Sequence, residues 1–342
     1  MNPLRRSVFR RRPGIGAWVL ASLFLPGPMA AASQNFEPQP TPPVDSGMVP
    51  AQAEESPPRM TAEEIQRYNA VKSLIDWTPE QIQDRPELRD LQPAESQQNL
   101  PAILSAAGER VSALFDDFPN MTSVEEVRAG PCDEGLRKKC RVTYRGRFNY
   151  LVVAHPTEND RLMGEYRTDL KGRFIDYRNI GHGRILLTSG FTTTPLQHFR
   201  PQNQMACRFR YFGRQDVAGQ KTDVVGFVEI PGKYLWPTDW RNGKAVVPLC
   251  LQGLAWIDVT SYQIVRIETF LVAPPPKGDF QSDTTQVEFG EIRLHQATVV
   301  LRLPTEVVVD VWFHQRHFRN VHKYSGFKLF QVETHIGPMI EK

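Results

Sequence analysis

The sequence lacks the short motifs that identify the common enzyme classes. It has no H-E-x-x-H metal pair, no G-x-S-x-G nucleophile turn, no Walker phosphate loop and no complete G-x-G-x-x-G. Ser325 and Lys328 match S-x-x-K, but that pair acts from a helical turn, and this segment alternates like a strand. No enzymatic activity, catalytic residue or cofactor is therefore predicted.

The chain also lacks a strong net charge. It has 41 basic and 38 acidic residues, and residues 1–32 contain five arginines and no acid, so 36 basic residues face 38 acidic ones in the remainder. Nucleic-acid binding needs clustered basic charge, so no nucleic-acid partner is predicted. Beyond the N-terminus no apolar run approaches the length of a membrane-spanning helix, so the mature chain is not expected to span a membrane.

The N-terminus predicts export. In residues 1–32, arginines precede a mostly apolar stretch at 16–25, and small residues follow at 29–32, as in a cleaved secretory signal peptide. An uncleaved N-terminal anchor is the alternative. Residues 33–58 are rich in Pro, Ser, Gln and Glu and predict a disordered spacer, because they offer little apolar surface to bury. The expected location is periplasmic or secreted.

Four cysteines, with no C-x-x-C spacing, favour disulfides over zinc in an exported protein. Of the three connectivities, we favour Cys132 with Cys140 and Cys207 with Cys250. Three histidines lie close together in sequence, but on a strand they do not all share one face, so a structural role is favoured and no metal site is predicted. These are His314, His317 and His322.

Residues 59–128 predict a helical segment. Thr61 and Glu64 have the spacing of a capping box, and apolar residues then recur at helical intervals. Between Pro101 and Pro119 a continuous apolar stripe predicts a second helix, which should pack on the following β region. The alternative is a membrane-surface helix, which the acidic residues Glu109 and Asp116 disfavour.

Residues 129–342 predict an antiparallel β domain. From Cys140 onwards apolar and polar residues alternate with period two. About ten runs without intervening helices exclude a parallel fold. The predicted fold class is mainly β (α+β), with a strongly curved antiparallel sheet or half-barrel packed against the N-terminal helices. After the first strand, the predicted runs are 161–168, 205–213, 223–230, 244–257, 262–272, 284–295, 297–302, 305–314 and 322–333.

Aromatic residues recur on these strands. If the sheet is curved enough, they would line a cavity for an apolar ligand, and a fully packed core is an equally weighted alternative. The candidate ligand-binding residues are Tyr144, Phe148, Tyr150, Phe209, Phe227, Trp256, Phe289 and Phe313.

Several segments resemble one group of periplasmic proteins. The hairpin formed by GLAWID (253–258) and YQIVRIE (262–268), followed by TQVEF (285–289) and LPTEV (303–307), is similar to the LolA-like and RseB-like lipoprotein-carrier superfamily. The ending RNVHKYS (319–325) most resembles exported acidobacterial proteins. The resemblance implies a half-barrel closed by helices, with an apolar cavity for acyl chains and without catalysis or cofactor.

The leading hypothesis is an exported, non-enzymatic protein that binds a lipid or a lipoprotein acyl chain. One alternative is an envelope sensor or scaffold that binds another envelope protein through an exposed strand edge or through the flexible N-terminal segment. The other is an enzyme whose site is assembled from distant loops, with Asp258 near His322.

Overall fold

The computed structural model describes residues 60–116, 120–133, 139–156, 161–175, 194–233, 239–242, 245–275, 280–294, 300–313 and 315–330. The predicted signal peptide (1–32) and spacer (33–58) lie outside the described residues. So do His314 and the end of the chain beyond residue 330.

Short helices form the N-terminal part of the described chain. The predicted capping box at Thr61 and Glu64 is present, and an equivalent box at Thr78 and Gln81 opens the second helix. No described helix combines the length and apolar character needed to cross a bilayer. The helices are α1 (Ala62–Asn69), α2 (Pro79–Gln83), α3 (Leu100–Asp116), α4 (Thr194–Gln197) and α5 (Pro201–Gln204), with 3₁₀ turns at Leu74–Asp76 and Pro86–Leu88.

Most described strands form one open antiparallel sheet, which confirms the predicted fold class. The strands are β1 (Gln92–Pro93), β2 (Met121–Cys132), β3 (Tyr144–Pro156), β4 (Arg161–Thr168), β5 (Cys207–Val217), β6 (Gln220–Glu229), β7 (Asp239–Asn242), β8 (Ala245–Pro248), β9 (Leu251–Asp258), β10 (Ile264–Leu271), β11 (Phe280–Arg293), β12 (Val300–Phe313) and β13 (Arg316–Leu329). The order across the eleven-stranded sheet is β1-β5-β6-β9-β10-β11-β12-β13-β2-β3-β4, and β7 and β8 pair separately.

Some element boundaries differ from the predicted ones. Strand β2 begins at Met121, earlier than the predicted end of the helical segment at residue 128. The described parts of the runs 297–302 and 305–314 belong to one strand, β12 (Val300–Phe313), in which Pro304 pairs with Phe289 next to a register shift. A proline usually breaks a ladder, and this bulge lets the strand continue through it.

The sheet has two faces with different covers. The inner face packs against α3, α4 and the segment that follows α4, around residues such as Phe199, Phe227 and Val307. The outer face of β5, β6, β9 and β10 is covered by the N-terminal segment, where Leu74 and Leu88 pack against Trp256 and other buried residues. In the described chain, no helix packs on the outer face of β13, β2 and β3.

The β5 edge of the sheet is closed by the chain that leads into α3. Gln92 and Pro93 pair with Arg214 and Gly213. The Gln97 side chain accepts a hydrogen bond from the Tyr211 N–H (2.8 Å) and donates one to the Tyr211 carbonyl (2.8 Å). Gly213 has φ +135°, and a Cβ there would lie 1.9 Å from the Gln92 carbonyl oxygen, so the approach of β1 requires glycine.

Candidate ligand-binding site

Helix α3 lies on the inner face through a stripe of apolar side chains. Ile103, Ala107, Val111 and Phe115 recur every fourth residue and are buried. At its exposed surface Arg110 donates a hydrogen bond to the Ser261 carbonyl (3.1 Å). The helix is thus held mainly by non-directional apolar contacts, as its sequence pattern predicted.

A cavity lies between the C-terminal half of α3 and the inner face. Its volume is about 20 Å³, which corresponds to roughly one water molecule. Eleven of its lining residues have apolar or aromatic side chains, and the other two are Ser123 and Arg302. The eleven are Leu114, Phe115, Met121, Tyr150, Val152, Met163, Leu196, Phe289, Leu303, Pro304 and Phe327.

Ser123 provides a polar atom that the fold leaves unused. It is 4% exposed, and its Oγ has no hydrogen-bond partner. The other polar groups are occupied: the Tyr150 hydroxyl donates to Glu165, and the Arg302 guanidinium donates to Glu291 (3.1 Å). A buried hydroxyl without a partner costs about 1–3 kcal/mol, so a ligand oxygen or a water would stabilise this position.

A buried charged cluster adjoins the cavity on the same face. Glu125 of β2 forms an ion pair with Arg167 of β4, and both side chains are 0% exposed. The same carboxylate bonds to His322 Nδ1 (2.9 Å) and accepts a hydrogen bond from the Tyr324 hydroxyl (2.9 Å), both from β13. The pairing of β13 with β2 therefore brings together groups that are almost 200 residues apart in sequence.

The cluster favours an ionised Glu125 and a neutral His322. Burial alone would raise the pKa of Glu125, but hydrogen bonds from Arg167 and His322 and the positive charge of Arg167 outweigh it and lower that pKa to about 2. Burial lowers the pKa of His322. Burial also raises the pKa of Tyr324, so this hydroxyl remains a donor. A carboxylate held in this way has the geometry of a structural anchor.

The other chemical candidates are not brought together. Asp258 accepts hydrogen bonds from the backbone of Thr260 (3.0 Å) and Ser261 (2.7 Å) in its own turn, whereas His322 is bonded to Glu125. His317 pairs with Asp310 (2.7 Å). Over the described ranges, no group of three or more His, Cys, Asp and Glu side chains is arranged to hold a metal ion.

The predicted aromatic residues are divided between several environments. Tyr150 and Phe289 line the cavity. Phe209, Phe227 and Phe313 belong to the same inner-face hydrophobic cluster, but they do not line the cavity. Phe148 is buried on β3, and Tyr144 is half-buried at its start. Trp256 lies instead on the outer face, where its Nε1 donates to Gln215 (2.8 Å).

The cysteine predictions have different outcomes. The Cys132–Cys140 disulfide is confirmed. The prediction of a second disulfide is wrong, because Cys207 and Cys250 are free and buried. Cys207 starts β5 and Cys250 precedes β9, with β6 between these strands. Two strand spacings of about 4.8 Å place the Cα atoms beyond the roughly 7 Å limit of a disulfide.

A second depression, of about 300 Å³, lies between α1 and the ends of β5, β6 and β9. Its lining includes Arg208 and Glu229 as well as Tyr68 and Cys250. Its lining therefore mixes charged, polar and apolar groups, unlike the almost wholly apolar lining of the cavity beneath α3.

Comparisons with known proteins give distant structural likenesses. No protein-family model matches the chain, and no curated protein is detectably similar to it. A LolA superfamily protein from Nitrosomonas europaea has 10% identity and a TM-score of 0.35, over 67% of this chain and 94% of that protein. A DUF1329 family protein from Desulfovibrio piger has 12% identity and a TM-score of 0.32, over 67% and 92%.

A third structure, a domain from Vibrio parahaemolyticus described as an outer-membrane lipoprotein-sorting protein, has 10% identity and a TM-score of 0.34, over 66% of this chain and 91% of that domain. These descriptions name the group that the sequence motifs resemble. The narrower resemblance to acidobacterial proteins is unsupported. Likenesses with TM-scores below 0.5 do not bear on what the chain binds.

The sequence did not reveal Ser123 or the Glu125 cluster. A signal was present in the sequence, because Ser123 and Glu125 share alternate positions with the apolar residues Met121, Val127 and Ala129. A carboxylate on the apolar side of a strand indicates a buried partner. The assignment of residues 59–128 to helices hid this pattern.

Proposed function

We propose that this chain is an exported, non-enzymatic binding protein that holds an acyl chain between α3 and the inner face of the sheet. The observation that carries the proposal is the cavity beneath α3, with its almost wholly apolar lining and one unused polar atom, Ser123 Oγ. The predicted signal peptide in residues 1–32 supports a periplasmic or secreted location. An acyl chain of a lipid or lipoprotein matches the chemistry of this lining.

The proposal requires α3 to move. Ligand pockets usually have volumes of about 300–1,000 Å³, and the cavity has about 20 Å³. Exposing Val111 and Phe115 would cost about 1.5–3 kcal/mol each, whereas burying ten methylenes contributes about 8 kcal/mol. An acyl chain of this length would therefore offset the displacement of the C-terminal half of α3.

The test is retention of lipid by a protein whose cavity is blocked. Leu114 and Leu104 are both half-buried on α3, and only Leu114 lines the cavity. Leu114→Trp places an indole at the cavity, and Leu104→Trp is the matched control. Native mass spectrometry of the protein incubated with palmitoyl phospholipid vesicles should show bound lipid for the wild type and the control, and none for Leu114→Trp.

Two results would contradict the proposal. One is a wild-type protein that binds no lipid under these conditions. The other is equal retention by the Leu114→Trp and Leu104→Trp variants, since binding would then occur away from the cavity. Circular dichroism spectra of the three proteins should coincide, because the substituted positions are partly exposed.

A further inference from the structure

The outer face of β13, β2 and β3 has positive charge that the fold does not neutralise. Arg128 of β2 and Arg145 of β3 are directly opposite each other and share this face. Both side chains are exposed, and neither contacts a carboxylate within the described chain. Like charges directly opposite each other destabilise a sheet, so this pair does not serve the stability of the fold.

Further cations extend this surface, which we call the basic face. The basic face also contains Arg147, Arg319, Lys323 and Lys328. Among the described residues of β13, β2 and β3, it contains one carboxylate, Glu126. Three pairings neutralise part of the charge: Arg147 with Glu126 (3.7 Å), Lys323 with Glu306 (2.9 Å) and Arg319 with Asp310 (2.8 Å). Arg128, Arg145 and Lys328 remain without a described carboxylate.

Aliphatic side chains separate these cations. Val124, Leu151 and Val321 lie on the same face and are only half-buried. A phosphate layer would pair with the guanidinium groups, and the boundary between headgroups and acyl chains would cover the aliphatic residues. A soluble anion or a nucleic acid would satisfy the charges alone.

We propose that the basic face docks on a membrane surface rich in anionic phospholipid headgroups. Arg128 and Arg145 form its centre, and Lys328 lies further along the same strands. Charge complementarity and the half-buried aliphatic residues together indicate an anionic lipid surface as the binding partner. The proposal is independent of acyl-chain binding, because the basic face and the cavity lie on opposite faces of the sheet.

The experiment is flotation with vesicles of defined composition. The full chain is mixed with phosphatidylcholine vesicles, with or without about one third phosphatidylglycerol, at low salt. Binding is expected only with phosphatidylglycerol, and it should decline in about 0.5 M salt, where screening is strong. Arg128→Gln/Arg145→Gln should weaken partitioning about 30-fold, which equals about 2 kcal/mol at about 1.4 kcal/mol per tenfold.

The matched control is Lys221→Gln/Lys233→Gln, which removes the same charge from exposed positions elsewhere. It should partition like the wild type. Three outcomes would overturn the proposal: no wild-type binding to phosphatidylglycerol vesicles, unchanged binding of the arginine variant, or an equal loss in the lysine control. The arginine variant should melt at or slightly above the wild-type temperature, because it removes a like-charge pair.

If the arginine variant instead loses an envelope protein in pull-downs while its vesicle binding is unchanged, the basic face binds a protein and the lipid proposal is wrong.

Discussion

Glu125→Gln tests whether the buried cluster on the inner face is a structural anchor. Its side chain is 0% exposed, and it accepts hydrogen bonds from Arg167 Nη2 (2.7 Å) and the Tyr324 hydroxyl (2.9 Å). The substitution keeps the shape of the side chain and removes the negative charge. Arg167 then loses its buried counter-charge from β2.

The expected cost follows from the pKa of this carboxyl. Its lowering from 4.5 to about 2 corresponds to roughly 3 kcal/mol, at about 1.4 kcal/mol per unit. Breaking a buried ion pair costs about 3–5 kcal/mol, a similar value. We therefore expect the free energy of unfolding at pH 7 to fall by roughly 3 kcal/mol. Urea unfolding followed by tryptophan fluorescence measures this change.

The pH dependence gives a second measurement. Because the folded-state pKa of Glu125 is lowered, its contribution is complete above about pH 4.5 and is lost as the pH falls towards 2. The variant should lack this loss. The lowered pKa of His322 acts at higher pH: its contribution is present above about 6.5 and is lost below it. In Glu125→Gln the carboxylate no longer favours a charged His322, so the pKa of His322 should fall further. The loss of stability below about pH 6.5 should therefore be larger in the variant than in the wild type.

The neighbouring substitution Glu126→Gln is the control. Glu126 lies on the outer face, is 50% exposed and pairs loosely with Arg147 (3.7 Å). Its loss should change stability by less than about 1 kcal/mol. The argument fails if both variants have the same stability, or if the wild type and Glu125→Gln lose stability in parallel between pH 5 and pH 2.

Three further predictions concern single positions. Burial raises the pKa of Glu268 to about 7, so the contribution of Glu268 to stability should fall as pH rises from 4.5 to 7; the stability difference between the wild type and Glu268→Gln should change by up to roughly 3 kcal/mol over this range, measured by urea unfolding at several pH values. Gly213→Ala should displace Gln92 and cost more than Gly219→Ala, since Gly219 also has positive φ but has open space around it; thermal melts compare the two. Ser123→Ala removes a hydroxyl without a partner, so the melting temperature should stay the same or rise, and a clear fall would show that the hydroxyl is bonded.

Local patterns predicted those parts of the fold that depend on neighbouring residues. Alternation after Cys140 predicted β3, and the apolar stripe between Pro101 and Pro119 predicted α3. The Cys132–Cys140 loop also depends on a short sequence separation. In each case the residues that determine the structure lie within one element or one loop.

The pairing of distant strands was beyond these patterns. Whether Cys207 can reach Cys250 depends on the strand between them, and Glu125 meets Tyr324 only because β13 pairs with β2. Trp256 shows a different difficulty. Nearly all of β9 is buried on both faces, so no contrast between polar and apolar residues indicates which way the tryptophan points.

The β5 edge of the sheet bears on whether this protein binds a partner by strand addition. A partner that adds a strand needs free backbone groups on an edge. At Tyr211 the Gln97 side chain occupies both groups, and Gln97 lies just before α3 begins at Leu100. A strand added there would have to displace Gln97, so strand addition at the β5 edge is disfavoured.

Gln97 also restrains the start of α3, because its two hydrogen bonds hold the residues before the helix against β5. Gln97→Ala should loosen the start of the helix, because two hydrogen bonds worth about 0.5–1.5 kcal/mol each are lost. The amides of α3 should then exchange with deuterium roughly 5- to 150-fold faster, while those of β12 and β13 should not. Gln98→Ala is the control, since Gln98 is also exposed and its side chain forms no described hydrogen bond. Unchanged exchange in α3, or faster exchange throughout the sheet, would show that α3 is held by its apolar stripe alone.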